Sequence, residues 1–169
     1  MIFVTLGTQK FQLNRLLRQI DIMIENGEIK EPVIAQVGNS DYSPRHYKYQ
    51  PFFDKDEMGR LMRESSLVIT HCGVGSIIQA MQCKTPIIVF PRLAKYREHV
   101  DDHQLDIARV FSLKNYVLVC QDEKQLADSI AKAKSMHFDY YHSQRKRMVN
   151  TIQSYMLTVE NTALVSRHA

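Results

Sequence analysis

The sequence predicts a doubly wound α/β domain, in which one parallel sheet is covered by helices on both faces. Short β-rich runs alternate with longer segments of helical period, the pattern of successive βαβ units. Several of those runs are nearly uninterrupted in apolar residues, as strands buried on both faces must be. The chain has 169 residues, and domains run ~100–200, so the length suits a single core.

The first strand is read at Ile2–Leu6 and runs into Gly7-Thr8, a tight turn. In the following segment, Asn14–Glu25, the residues Leu16, Leu17, Ile20, Met23 and Ile24 recur at helical spacing and make one apolar face. Val33–Val37 and Tyr47–Phe52 are the next strands, with a helix over Lys55–Glu64. Leu67–Thr70 and Ile87–Phe90 flank a helix over Ser76–Gln82. A helix over Asp101–Phe111, a strand over Tyr116–Val119 and a helix over Glu123–Met136 complete the alternation. From about Asp139 to the C-terminus there is no Gly or Pro, and Met148, Ile152, Tyr155, Met156 and Val159 fall on one stripe. That pattern predicts a long amphipathic helix. No repeat, low-complexity tract or Ser/Gly linker interrupts the plan, so residues 1–169 read as one domain.

Composition narrows the function classes. Apolar residues make up 44% and charged residues 24%, which argues against disorder and against a disulfide scaffold. Net charge is +4, from 22 Lys+Arg against 18 Asp+Glu, and suits an anionic ligand or membrane surface. The cysteines Cys72, Cys83 and Cys120 are odd in number and lack CxxC spacing, so reduced thiols in a cytoplasmic setting are expected. No run approaches a signal h-region or a membrane span. Arg15 and Arg18, and the cluster Arg145-Lys146-Arg147, read as solvated helix faces; no basic stripe interleaved with aromatics points to nucleic acid. Tyr140 and Tyr141 beside that cluster could form a docking surface.

Ligands of doubly wound sheets bind outside the carboxyl ends of the strands. There the strand Leu67–Thr70 runs into His71-Cys72-Gly73-Val74-Gly75-Ser76 and a helix. Glycines and a serine at a helix start leave amide N–H groups and the positive end of the helix dipole facing outward, a cradle for a diphosphate. An ordinary strand-to-helix turn with Gly73 and Gly75 at positive φ is the competing reading. Gly7-Thr8 could bring further amides and a hydroxyl to the same anion. The polar loop from Pro91 to Gln104 suits a polyhydroxyl ligand, with Glu98, Asp102, His103 and Gln104 as sugar-binding candidates. His99 and His103, four apart, would share a helix face and invite a metal reading. An Asp stands where the HxxEH pattern has Glu and no third ligand has convincing spacing, so no metal is expected. Cys72 beside His71 lacks an orienting Asn or Asp and reads as a buried thiol rather than a nucleophile.

Taken in order, Val4-Thr5-Leu6-Gly7-Thr8, His71 to Ser76, Pro86 through Pro91 and Asp102-His103-Gln104 resemble the C-terminal, donor-binding domain of glycosyltransferase family 28. More closely, they resemble the small subunits of split glycosyltransferases, which include the catalytic subunit of the dolichol-linked N-acetylglucosaminyltransferase and relatives in capsule and exopolysaccharide synthesis. The resemblance implies a Rossmann-like sheet forming the C-terminal half of a GT-B fold. It implies that Gly7, Thr8, His71, Gly73, Val74, Gly75 and Ser76 hold the diphosphate of a UDP-sugar, and that the backbone at Phe52 and Phe53 reads uracil. Gln79 stands where relatives often carry a Glu that grips the ribose, so a neutral contact is expected. The implied reaction is inverting transfer to a lipid-linked acceptor without a cofactor beyond the UDP-sugar itself. The implied partner is a membrane-anchored acceptor-binding subunit that holds this chain at the inner face of the membrane; no residue of this chain is assigned as the general base, which leaves that role open to the partner, and alone the chain could form a homo-oligomer. A nucleotide-binding module without turnover and a nucleotide-sugar epimerase are the alternatives.

Overall fold

All six strands among the described residues pair in parallel, in the spatial order β3-β2-β1-β4-β5-β6. They are β1 (Ile2–Thr5), β2 (Val33–Gln36), β3 (Lys48–Gln50), β4 (Leu67–Thr70), β5 (Ile87–Val89) and β6 (Leu118–Val119). The computed structural model describes residues 1–166, with side chains placed through Val159. The helices are α1 (Asn14–Glu25), α2 (Lys55–Glu64), α3 (Val74–Gln82), α4 (His103–Leu113), α5 (Leu126–Ser135) and α6 (Arg145–Ser166). Residues 167–169, within the predicted C-terminal helix, lie outside the described residues.

The alternation along β1 divides the core. Ile2, Val4 and Leu6 pack with Leu16, Leu17 and Ile20 of α1 and with Leu126 and Ile130 of α5. Phe3 turns to the other face, where Val68 and Val89 meet Met58, Leu61 and Met62 of α2, Ile77 and Met81 of α3 and Ala108 of α4. Each such buried apolar side chain contributes about 1.5–3 kcal/mol of transfer free energy. Helix α2 starts at Asp54, whose carboxylate accepts from the Glu57 N–H at 2.8 Å, with Asp56 and Glu57 in the first turn beside the positive dipole end.

The central strands match the sequence reading, and the margins depart from it. β3 is shorter than Tyr47–Phe52 and exposed along its length, because it is a sheet edge with a single neighbour. The predicted helix Glu123–Met136 opens as a 3-10 turn over Glu123–Gln125, with the Asp122 carboxylate accepting from Lys124 N–H, before α5 begins. Residues 139–144 are not helical, so α6 begins at Arg145 rather than Asp139. Its stripe of Met148, Ile152, Tyr155, Met156 and Val159 is exposed. No helix among the described residues is long and apolar enough to cross a membrane.

Candidate functional site

Strand order reverses between β1 and β4, so the loops leaving these two adjacent strands diverge and open a crevice at their carboxyl ends. The loop after β1 is tied down by its carbonyls. Arg92 donates through Nη2 to the carbonyls of Leu6 (2.8 Å) and Phe11 (2.9 Å), and through Nε to that of Gln12 (3.3 Å). Gln36 donates to the Gly7 carbonyl at 3.3 Å, and Asn39 donates to the Gln9 carbonyl at 3.0 Å. The amides of Gly7 and Thr8 find no acceptor among the described residues. Gly7 sits at φ +69°, and Gly38 packs so closely that a Cβ there would stand 2.9 Å from the Gly7 carbonyl oxygen.

The loop after β4 faces it. Gly73 caps α3 with no side-chain partner, and the first α3 bond runs from Ile77 N–H to the Gly73 carbonyl at 3.1 Å. The amides of Val74, Gly75 and Ser76 therefore have no intrahelical acceptor and point out with the positive dipole end. Neither glycine adopts positive φ, which overturns the competing turn reading: Gly73 is extended at φ −92° and Gly75 lies within the helix. Gly73 is needed for another reason. The His71 imidazole lies between the two loops, and a Cβ on Gly73 would come within 2.3 Å of its Nε2, while one on Gly7 would come within 2.5 Å of its Cε1. Burial, reinforced by the Arg92 charge, pushes the His71 pKa down to about 4, so the ring is neutral at physiological pH. It acts as a spacer that sets the separation of the two amide-bearing turns.

Around the cradle the predicted contacts divide. Gln79 lies one turn beyond Ser76 and lines a cleft of about 550 Å3 between α2 and α3, with Lys55, Asp56, Gly59 and Arg63. Phe52 is exposed, but the Phe53 N–H is committed to Gln36 Oε1 at 3.0 Å and cannot read a base. Glu98 and Gln104 are fully buried, which corrects their assignment to the sugar. Glu98 accepts from Arg15 Nε (2.8 Å) and Leu93 N–H (3.0 Å), and Gln104 accepts from Arg92 N–H (2.9 Å). Both fold the loop rather than face a ligand. Asp102 and His103 are exposed, with Asp102 accepting from Ala94 N–H at 2.8 Å. His99 and His103 do not share a helix face, because α4 begins only at His103 and residues 97–102 form irregular bends.

The sequence model of the glycosyltransferase family 28 C-terminal domain matches residues 1–158. The chain belongs to that family. Curated relatives include two proteins named UDP-N-acetylglucosamine transferase subunit ALG13. The one from Debaryomyces hansenii is 25% identical over 138 residues, 75% of this chain and 63% of that protein. The one from Yarrowia lipolytica is 31% identical over 111 residues, 61% of this chain and 52% of that protein. The chain thus spans less than two thirds of the length of either. Among solved structures, MurG of Acinetobacter baumannii superposes with a TM-score of 0.56 at 16% identity, over 90% of this chain and 49% of that one. The kitacinnamycin glycosyltransferase gives 0.57 at 13% identity, over 80% and 35%. These similarities show the fold, a Rossmann-like sheet of the kind that forms half of a GT-B glycosyltransferase.

Within this family 28 domain, two residues that organise the site escaped the sequence reading. Arg92 is wholly buried, and burial lowers its pKa only to about 10, so it stays charged. Arg15 is not solvated: besides Glu98, it donates to the Pro91 carbonyl at 2.9 Å and stacks over Phe90 at 4.2 Å and Tyr96 at 4.8 Å. A signal for Arg92 was present, since it follows Pro91 at the carboxyl end of an all-apolar strand, where a charge demands partners. Cys72 is buried and its thiol is pushed up to about 12, in keeping with an inert packing role; all three cysteines are unpaired.

Proposed function

We propose that this chain is the donor-binding subunit of a two-component inverting glycosyltransferase that moves a sugar from a UDP-sugar to a lipid-linked saccharide. One observation carries the reading. The unpaired amides of Gly7, Thr8, Val74, Gly75 and Ser76 flank one neutral imidazole at the switch point, while the neighbouring carbonyls are held back by Arg92, Gln36 and Asn39. Such a donor-only surface fits the diphosphate of the donor and stabilises it as it leaves, when the acceptor hydroxyl attacks the anomeric carbon. No metal is required for that charge stabilisation. Gln79 would meet the ribose, the backbone of the exposed residue Phe52 the uracil, and Asp102 and His103 the sugar hydroxyls.

The relatives' names favour N-acetylglucosamine as the transferred sugar and the role of a subunit. A membrane-anchored partner would bring the acceptor and hold this chain at the cytoplasmic face. The capsule or exopolysaccharide setting expected from the sequence gains no support from these relatives. Calorimetry of the full chain with UDP and UDP-N-acetylglucosamine should show one saturable site, and transfer to a lipid-linked acceptor should appear only once the partner is added. No UDP binding at millimolar concentration would overturn the reading. Release of UDP from UDP-sugar without any acceptor would favour an epimerase-like reaction instead.

A further inference from the structure

We propose that His99, Asp101 and His103 form a binding site for a divalent transition-metal ion, with Zn2+ the best match to the ligand set. One donor atom from each residue lies within 4.8 Å of the others. The third ligand that sequence spacing did not supply is Asp101, lying between the two histidines in the chain and brought between them by the bends that precede α4. Asp101 Oδ1 meets His103 Nδ1 in a close contact and stands 3.2 Å from His99 Nδ1.

The independent sign is His99. Its side chain is 8% exposed, and Nδ1 is a buried polar atom with no hydrogen bond. The 3.2 Å separation is that of an ion pair, yet Nδ1 makes no hydrogen bond to that carboxylate, so a buried nitrogen is left unsatisfied at the edge of the cluster. A purely hydrogen-bonded His-Asp-His network would leave no such orphan. A cation among the three satisfies all of them at once.

The scaffold suits this role. The His99 ring packs against Phe11 with centroids 4.4 Å apart, which fixes its orientation. Its neighbour Glu98 is anchored to Arg15 and Leu93, and Asp102 is anchored to Ala94, so the residues flanking the ligands are pinned from both sides. Asp101 and His103 are exposed and can close by the small amount that bonds of ~2.0–2.2 Å require. Two imidazoles and one carboxylate match zinc or cobalt and not magnesium or calcium, which want oxygen donors. Three protein ligands leave a coordination position open to water or to an incoming hydroxyl.

The metal site shares His103 with the proposed sugar contact, and metal binding is read directly, so the test uses the chain without nucleotide. The full chain, freed of metal by chelation, is titrated with Co2+ as a spectroscopic probe and then with Zn2+. One Co2+ per chain, with visible absorption of a low-coordinate site and displacement by Zn2+, is the expected result, and Mg2+ should compete at neither stage. Asp101→Asn and His103→Ala, both at exposed positions, should each weaken binding by about tenfold or more, with unchanged circular dichroism. His46→Gln should leave it intact and guards against an ion held by His46 and Asp21, which stand 3.2 Å apart. Absence of one-to-one binding, or wild-type affinity in both cluster variants, would overturn the proposal.

Discussion

In the Gly7 and His71–Ser76 turns the groups left for a ligand are backbone amides; in the loop from Pro91 to Gln104 they are side chains. The first region spends its carbonyls on Arg92, Gln36 and Asn39 and keeps its side chains small or neutral. The second has more polar side chains than a ligand could use, and turns Arg92, Glu98 and Gln104 inward to hold itself in shape. A backbone site is specified by shape, so a glycine marks it. A side-chain site is specified by which residues face out, and that depends on partners far away in the chain. The two regions should therefore answer mutation differently.

The largest contrast is expected within the side-chain region. Glu98→Ala takes the buried carboxylate from Arg15, which keeps Glu123 Oε2 at 3.3 Å, and should cost about 3 kcal/mol of stability, the low end for breaking a buried pair. Asp102→Ala, four residues on, removes an exposed carboxylate bonded to one amide and should cost about 1 kcal/mol. Chemical denaturation of both variants measures the difference, and equal losses would mean that the inward and outward halves of the loop are not distinct.

The imidazole that separates the two amide turns should make stability depend on pH. Its folded pKa is about 4 against an ordinary 6.5, so the unfolded chain binds the proton first as pH falls. The contribution is fully present above about pH 6.5 and is lost as pH drops towards 4, on the order of 3 kcal/mol in total. Denaturation midpoints of wild type and His71→Asn between pH 4.5 and 7 test it: the wild-type slope should be steeper, and parallel curves would show that His71 titrates normally.

The same contrast explains what was legible in the sequence. Gly7, Gly73 and the run to Ser76 announced themselves because glycine at a strand end has few other uses, though the reason differed at Gly73, where the ring of His71 and not backbone φ forbids a side chain. Glu98 and Gln104 looked like ligand contacts because nothing local distinguishes a carboxylate facing solvent from one facing Arg15, 83 residues earlier. Arg92 reaches Leu6 across 86 residues, and Arg15 looked solvated on a helix whose apolar face was already complete. The central strands were read from continuous apolar runs, whereas the edge strand β3, with all three residues exposed, gave no such boundary.

A steric test probes the spacer directly. Gly73→Ala drives a Cβ to 2.3 Å from the His71 ring and should cost about 1–3 kcal/mol as overpacking. In a His71→Ala background most of that cost should vanish. Gly7→Ala should remain costly even there, by about 1–2 kcal/mol, because its φ of +69° is unfavourable for any L side chain. Thermal melts of the double variants separate contact from backbone strain; if His71→Ala rescues both glycine variants equally, the ring alone governs the two turns.

The effects on affinity rather than stability decide whether the cradle works through its backbone. Val74 occupies the first position of α3, after an extended Gly73 at φ −92° and ψ 126°, a setting that accepts proline without disturbing the helix. Val74→Pro therefore deletes one outward amide and little else, and should weaken UDP binding by about 1.5–3 kcal/mol, the worth of a hydrogen bond to a charged group. Ser76→Ala keeps its amide and loses only a hydroxyl that has no partner among the described residues, so about 1 kcal/mol, roughly fivefold in affinity, is the expected loss. Calorimetry on the pair ranks backbone against side chain. A larger effect from Ser76→Ala than from Val74→Pro would make the hydroxyl the principal anchor, and the first turn would then resemble the polar loop in its logic.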